Sequence, residues 1–370
     1  MFSSYLLRSV KLAVLAAVAG SSWVIGFAQS VSSPQDSAPG PPAAYDNPLA
    51  LPPRTSPPPP SVQQPSAEPA EQPQSQQPSG NSITPITGGA EDQGRFVFKK
   101  QVQEVALHAT VVDEMGRLVT GLDRSAFSVY QNGQPETITS FRREDVPVAI
   151  GIVIDNSGSM RDKRGKVNQA VLNLIRASNP QDEVFVVNFS QTPYLDQDFT
   201  SDVNLLQTAL HQTSSRGSTA LYDAVVASNV HLRNNPRLDK KVLLVITDGQ
   251  DNMSRETLQD AMRKLQSNKG ATLYAIGLAD EGMTRSAREA LQNLAASTGG
   301  VAYFPQSLDE VDAITRTVAH DIRSQYTLAY NPGPAIGNGY QRIRVEAKGQ
   351  AHTLLTVRTR SGYYPGEKLR

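Results

Sequence analysis

From Pro147 onward the sequence alternates short apolar segments with longer amphipathic ones, and this alternation constrains the fold more than any other feature. Residues 148–154 are almost continuously apolar, as expected for a strand that helices cover on both faces. From about 163 to 177 the apolar side chains fall on one stripe at helical spacing. Such alternation is typical of a parallel sheet with helices on both sides.

The same pattern continues to the end of this region. It predicts further strands at 183–189, 241–247, 271–278 and 301–304, and helices from 202 through 210 and at about 219–233, 254–267, 284–297 and 308–323. We therefore expect residues 147–324 to form a doubly wound, mostly parallel, Rossmann-like α/β domain.

The segments on either side have a different periodicity. Val105, Leu107 and Val111 alternate with polar residues, and residues 342–348 alternate in the same way, which predicts half-buried antiparallel strands. Neither flank has enough strands to enclose a core alone. We expect 96–146 and 325–370 to pair into a small antiparallel β-sandwich, in which the α/β domain is inserted or which flanks it.

The N-terminus has the order of features of a secretory signal peptide. Arg8 and Lys11 precede an apolar run at 12–27, and small residues end it at Ala28. We predict a signal peptide at 1–28 and an exported protein, in the periplasm, at the cell surface or secreted. An uncleaved membrane anchor is the alternative, and the membrane would be a partner only in that case.

Residues 29–95 differ sharply in composition. Of the 25 prolines in the chain, 16 lie between Val31 and Gly94, among many Gln and Ser residues. Such a segment buries too little apolar surface to offset its ordering entropy, so we predict a disordered proline-rich linker.

Charge and composition exclude several classes of site. Lys+Arg and Asp+Glu are both 35, so no global field attracts nucleic acid, and we expect no nucleic-acid partner. Cysteine is absent, which excludes thiolate ligands, and the five histidines show no pair at ligand spacing. A metal site would therefore use oxygen donors or single imidazoles.

Oxygen donors follow the first predicted strand directly. Asp155, Ser157 and Ser159 lie between that strand and the next helix, where ligands bind in open parallel sheets. Thr219 opens a later helix after a glycine-containing loop, and Asp248 ends another predicted strand. These hard donors suit Mg²⁺, or Mn²⁺ or Ca²⁺, so we predict a divalent-cation site.

This order of residues resembles a known motif. Asp155-x-Ser157-x-Ser159, followed by the Thr219 loop and by Asp248-Gly at a strand end, is similar to the metal-ion-dependent adhesion site (MIDAS) of von Willebrand factor type A (VWFA) domains. The resemblance covers roughly the α/β region. The flanks are similar to a subgroup of exported bacterial VWFA-related proteins, which brings no assigned function.

The resemblance implies a role for each residue. Ser157 and Ser159 would bind the metal directly, and Thr219 directly or through water. Asp155 and Asp248 would act mostly through water. A carboxylate from a partner protein or other acidic ligand would fill the open position, because neutral ligands leave the cation much of its positive field. The resemblance thus implies a protein-binding or adhesion module.

The family also couples this site to a shift of its final helix, here 308–323. We carry this coupling over as a hypothesis. A disulfide that locks the helix would test it, because ligand affinity should then change.

The motif residues could also have a purely structural role. Asp155, Ser157 and Ser159 could simply cap the next helix, but Thr219 and Asp248 would then match the motif by accident. We expect Asp251 to be an ordinary solvated loop charge.

Enzyme classes fit poorly. An aspartyl phosphatase needs a second Asp where Ser157 stands, residues 156–160 lack a Gly-x-Ser-x-Gly turn, and no phosphate loop follows the first strand. We expect no catalysis. The remaining alternative is a structural component of a cell-envelope assembly, in which the metal only stabilises the loops.

Overall fold

The computed structural model describes residues 104–143, 145–211, 215–235, 237–278, 283–333, 337, 339–349 and 354–366. The predicted signal peptide at 1–28 and linker at 29–95 lie outside these described residues. No helix of the described part is long and apolar enough to cross a membrane.

The elements fall into an α/β part and two flanking groups of strands. Before the α/β part come β1 (Val105–Val112), β2 (Phe127–Gln131), β3 (Gln134–Glu136) and β4 (Ile138–Arg142). The α/β part contains β5 (Val148–Asp155), α1 (Arg164–Arg176), β6 (Glu183–Phe189), β7 (Pro193–Thr200), α2 (Val203–His211), α3 (Leu221–Asn234), β8 (Lys240–Thr247), α4 (Leu258–Leu265), β9 (Thr272–Gly277), α5 (Arg285–Thr298), β10 (Ala302–Tyr303) and α6 (Glu310–Arg323). After it come β11 (Tyr326–Tyr330), β12 (Gln341–Lys348), β13 (Leu354–Arg358) and β14 (Gly362–Tyr363).

The α/β part is built on a mostly parallel sheet of strand order β10-β9-β8-β5-β6-β7. β5 pairs in parallel with both β6 and β8, and β7 runs antiparallel at the edge. Every residue of β5 is buried, because its side chains alternate between two apolar cores. Ile152 packs with Val167 and Val318 of α1 and α6, and Val153 packs with residues of α3 and α5. The predicted mostly parallel α/β fold is confirmed.

Two elements differ from the sequence-based expectation. α4 begins at Leu258, after a capping box in which Thr257 and Asp260 bond each other, and is shorter than the predicted 254–267. β7 was not predicted, because its side chains are half-buried or exposed along its whole length and show no apolar run. An edge strand covered on one side needs no such run.

Strands from both flanks interleave in one antiparallel sheet of order β3-β2-β12-β13-β1-β11-β4, and β14 pairs with β12. β1 pairs with β11 through residues 105–109 and with β13 through residues 110–112. The described strands thus form one continuous path that changes partner along β1, where we had expected the two separate sheets of a sandwich. A strand of eight residues is long enough to serve two neighbours in succession.

The two arms of this sheet share one apolar core. Phe127 on β2 contacts Phe141 on β4 and Tyr326 on β11, with ring centroids 5.6 and 4.9 Å apart. Because β2 and β4 lie near opposite ends of the strand order, these contacts bring the arms face to face. A single folded sheet therefore encloses the apolar core that we had expected between the two sheets of a sandwich.

The antiparallel sheet is joined to the α/β part by polar contacts. The Arg360 guanidinium donates to the carbonyl oxygens of Ser267, Asn268 and Gly270 at 3.3, 3.0 and 2.8 Å. The resulting removal from water lowers the pKa of Arg360 to about 10. These bonds satisfy carbonyls after α4, and so attach the chain beyond β13 to the α/β part.

Candidate metal centre

Asp155, the last residue of β5, ties that strand to the end of β8. Its Oδ2 accepts a 2.6 Å hydrogen bond from Thr247 Oγ1, and its Oδ1 accepts a 2.8 Å bond from the Ser157 N–H. Burial raises the pKa of the Asp155 carboxyl, and these hydrogen bonds oppose that rise. The side chain thus fixes the loop after β5 from a buried position.

Two hydroxyls and a second carboxylate form a chain of contacts beside it. Ser157 Oγ lies 3.2 Å from Ser159 Oγ, which donates a 2.8 Å hydrogen bond to Asp248 Oδ1. The Asp248 side chain is only 1% exposed, whereas Ser159 lies at the surface. The group is therefore buried at its carboxylates and reaches solvent at Ser159.

A lysine also binds this carboxylate. Lys163 Nζ lies 2.5 Å from Asp248 Oδ2, and its side chain is 14% exposed. Lys163 was not among the site residues predicted from the sequence. One signal was present: Lys163 immediately precedes α1, and a cation is unfavourable near the positive end of a helix dipole. Such a residue needs a compensating partner, which here is Asp248.

Backbone hydrogen bonds join the loop before Thr219 to the loop that follows β5. The Gly158 N–H donates to the Gly217 carbonyl at 3.3 Å, and the Arg216 N–H donates to the Asn156 carbonyl at 2.9 Å. Gly217 has a φ of +87°, a left-handed conformation that side-chain-bearing residues rarely adopt. The loop before Thr219 is thereby held against the loop that carries Ser157.

Thr219 lies between this loop and the one after Asp248. Its N–H donates to Asn252 Oδ1 at 2.9 Å, and the Asn252 N–H returns a 3.0 Å bond to the Thr219 carbonyl. A Cβ placed on Gly249 would lie 3.4 Å from Thr219 Oγ1, so this hydroxyl is directly beside the residue after Asp248. The structure therefore brings the loops of all five predicted residues together.

Asp251 differs from expectation. It is half-buried, and its carboxylate accepts hydrogen bonds from the Tyr222 N–H at 3.1 Å and from the Ser254 hydroxyl at 2.5 Å. We had expected a solvated loop charge. The residue instead satisfies an N–H at the start of α3, because the first turn of a helix has no internal acceptors.

The donors of this centre are mostly hydroxyls. The described residues contain no group of three or more His, Cys, Asp or Glu that could hold a metal, so carboxylates alone provide no such site. Here two carboxylates and three hydroxyls lie on adjoining loops, and one carboxylate already holds the Lys163 ammonium. Oxygen donors of this kind fit Mg²⁺, Mn²⁺ or Ca²⁺.

Residues 150–250 match the family model described as von Willebrand factor type A domain. This segment includes all five predicted site residues. No curated protein matches the sequence.

Solved structures with a similar chain come from several sources. One is the PilB minor pilin from Streptococcus sanguinis, with 14% identity over 49% of this chain and 62% of that chain and a TM-score of 0.41. Another is proximal thread matrix protein 1 from the mussel byssus, with 17% identity over 51% and 50% of the two chains and a TM-score of 0.43. A third is von Willebrand factor type A from Catenulispora acidiphila, with 14% identity over 73% and 76% and a TM-score of 0.42.

The present chain thus spans 50% of the byssus protein and 62% of the pilin. The α/β part of this chain has the fold of the von Willebrand factor type A domain, and residues 150–250 match the family model of that domain.

Proposed function

We propose that this chain is an exported binding module that captures a carboxylate of a partner through a divalent cation. Ser157, Ser159 and Thr219 would hold the cation, with Asp155 and Asp248 acting mostly through water. The partner is a protein or another acidic ligand. When bound, the cation supplies a positive charge with an open coordination position.

One observation carries this proposal. Ser159, Asp248 and the Ser157 hydroxyl form a connected set of oxygen atoms, although they come from two strand ends far apart in sequence. A helix cap alone would not require the 2.8 Å bond between Ser159 and Asp248. The third hydroxyl, on Thr219, lies beside Gly249 and completes the donor set.

The chemistry of these residues favours binding over catalysis. Hydroxyl ligands are neutral, so the cation would retain a strong field for an external anion. Asp155 bonds Thr247 and Ser157, and Asp248 bonds Ser159 and Lys163, so both carboxylates have partners that hold the loops of the centre together. We therefore propose a non-catalytic role.

Location follows from the N-terminal sequence. The order of charge, apolar run and small residues at 1–28 supports export to the periplasm, the cell surface or the medium. The proline-rich composition of 29–95 supports a tether between that segment and the folded part.

Calorimetric titration of the full chain with Mn²⁺ tests the metal site. We expect wild type to bind, Ser157→Ala to bind at least about tenfold more weakly, and the exposed Ser201→Ala control to match wild type. Absence of binding to wild type would overturn the proposal.

Capture of a partner needs a separate assay. Immobilised glutamate-rich peptide is the probe, with Mg²⁺ or EDTA in the buffer. We expect retention in Mg²⁺ and loss in EDTA and in Ser157→Ala. If EDTA instead lowered the thermal unfolding temperature and left retention unchanged, the structural envelope role would replace the adhesion role.

A further inference from the structure

The Lys163 ammonium already lies at the candidate metal centre. It is 2.5 Å from Asp248 Oδ2, while Asp248 Oδ1 accepts the bond from Ser159. Both oxygens of this carboxylate are therefore engaged. Asp248 is 1% exposed and Lys163 14% exposed, so water screens the pair only weakly.

The backbone holds Lys163 firmly in this place. Its N–H donates to the Met160 carbonyl at 3.0 Å, and its own carbonyl accepts a 3.1 Å bond from the Val167 N–H at the start of α1. Met160 is fully buried in the core under the sheet. The lysine is thus attached to the same rigid turn that carries Ser157 and Ser159.

A nearby lysine, in the first turn of α1, shows what an ordinary surface pair looks like. Lys166 contacts Asp309 at 2.5 Å, but the two side chains are 56% and 80% exposed. Such pairs contribute little, because water screens the charges and both side chains lose rotamer entropy. The Lys163–Asp248 pair differs in burial, not in distance.

Two cations cannot share one carboxylate without cost. Asp248 is a predicted contributor to the metal centre, and a divalent ion among these oxygens would lie close to the ammonium. Like charges at short range in a poorly screened site repel strongly. Either the lysine leaves Asp248 when the metal arrives, or the metal binds against this repulsion.

We propose that Lys163 is a tethered competitor of the divalent cation. It neutralises the buried Asp248 carboxylate when no metal is present, and it lowers the affinity of the centre for metal. The inference rests on the proposed metal-binding function. Because the lysine competes for Asp248, a higher concentration of free cation is needed to fill the centre than would be needed without it.

Calorimetric titration of the full chain with Mn²⁺ tests the proposal. The variants are Lys163→Met, which keeps the length of the side chain without its charge, and the matched control Lys166→Met. We expect Lys163→Met to bind Mn²⁺ about tenfold more tightly than wild type, and Lys166→Met to equal wild type. Lys163→Arg, which retains the charge, should stay within about threefold of wild type.

Thermal unfolding provides a second readout. In EDTA, Lys163→Met should unfold at a lower temperature than wild type, because Asp248 then lacks its cation. Saturating Mn²⁺ should raise the unfolding temperature of Lys163→Met by more than that of wild type, since tighter binding stabilises the folded state more.

The outcomes separate the two proposals. If wild type binds Mn²⁺ and Lys163→Met, folded by circular dichroism, binds it equally or more weakly, the competitor role is wrong and the metal-binding function stands. If neither protein binds Mn²⁺, both proposals are wrong. If Lys163→Met does not fold, equal or weaker binding by Lys163→Gln overturns the competitor role.

Discussion

The hydroxyl of Ser159 donates a 2.8 Å hydrogen bond to Oδ1 of Asp248, across a separation of 89 positions in the sequence. The two residues follow β5 and β8, which are adjacent parallel strands. Because parallel neighbours end at the same edge of the sheet, their following loops meet there. This contact connects the two halves of the candidate centre.

Asp248→Asn should weaken metal binding. The amide keeps one oxygen but loses the charge that faces Ser159 and Lys163. We expect Mn²⁺ affinity, measured by calorimetry, to fall by about 10- to 100-fold. Asp162→Asn makes the same charge change at an exposed neighbouring position and should leave affinity within about threefold. If both variants lowered the Mn²⁺ affinity equally, the cause would be the loss of one negative charge near the centre and not a specific role of Asp248.

Thr247→Val should destabilise the fold. The hydroxyl donates to the buried Asp155 Oδ2 at 2.6 Å and accepts the Gly249 N–H at 3.2 Å, and valine makes neither bond. We expect the free energy of unfolding, from urea titration, to fall by about 2 kcal/mol. Thr317→Val, on the exposed face of α6, should change it by less than about 0.5 kcal/mol. A similar small change for Thr247→Val would contradict the role given to this bond.

Arg358→Met should loosen the attachment of α6 to the antiparallel sheet. Arg358 on β13 donates to Asp321 Oδ2 at 3.0 Å, and the Asp321 side chain is 3% exposed. The variant leaves a buried carboxylate without its cation, so we expect a loss of about 3 kcal/mol in urea titration. Arg316→Met breaks an exposed pair with Asp312 and should cost less than about 1 kcal/mol.

The same variant bears on the coupling of α6 to the metal centre. If that helix shifts on binding, as the family resemblance implies, Arg358→Met should also change Mn²⁺ affinity. An unchanged affinity together with the stability loss would argue against the coupling.

Stability should depend on the protonation of His108. Burial, and the charges of Lys240, Arg360 and Lys241, lower the pKa of His108 from 6.5 to about 3. The unfolded chain therefore binds a proton that the folded chain does not, and stability falls as the pH drops below about 6.5.

Urea titrations at about pH 7 and about pH 5 measure this effect. His108 as a residue is half-buried, so solvent reduces the effect and we expect wild type to lose about 1 kcal/mol more than His108→Gln between the two conditions. His320→Gln, at an exposed position, should behave as wild type does. Equal losses in wild type and His108→Gln would refute the assignment.

Gly151→Ala should strain the centre of the sheet. A Cβ at this position would overlap the Phe185 ring and lie 2.6 Å from Leu243 Cδ2, both in the core. We expect a loss of about 2 kcal/mol in unfolding free energy. Gly165→Ala on α1 meets nothing within 4 Å and should stabilise the protein by up to about 1 kcal/mol. If Gly151→Ala were neutral, the core would repack more easily than these close contacts suggest.

Much of the α/β part could be predicted because burial on both faces leaves a clear sequence pattern. The strand at Glu183–Phe189 was predicted with its observed bounds, since Asn179-Pro180 precedes it and its central residues 184–187 are all apolar. β7 could not be predicted, because an edge strand is half-solvated and has no comparable run. The start of α4 was predicted too early, because the reciprocal capping bonds of Thr257 and Asp260 fix the N-cap at Thr257.

The residues of the candidate centre could be predicted from the sequence, by residue type and by their place at the ends of predicted strands and at the start of a predicted helix. The hydrogen-bond and ion-pair partners of these residues could not be predicted. The bond from Thr247 to Asp155 and the ion pair of Lys163 with Asp248 join residues 92 and 85 positions apart. Sequence periodicity reports on neighbouring residues and gives no information about contacts between side chains this far apart in the chain.

The amino-acid sequence alone determined the buried strands and the amphipathic helices, and it placed the oxygen donors at the ends of these elements, because local periodicity reflects which side chains are buried. Tertiary structure alone decided that β1 would serve two arms of one sheet and that a lysine would hold Asp248. Both features depend on which segments distant in sequence come into contact. The free energy that favours these contacts comes from the packing of the whole chain and not from any one segment.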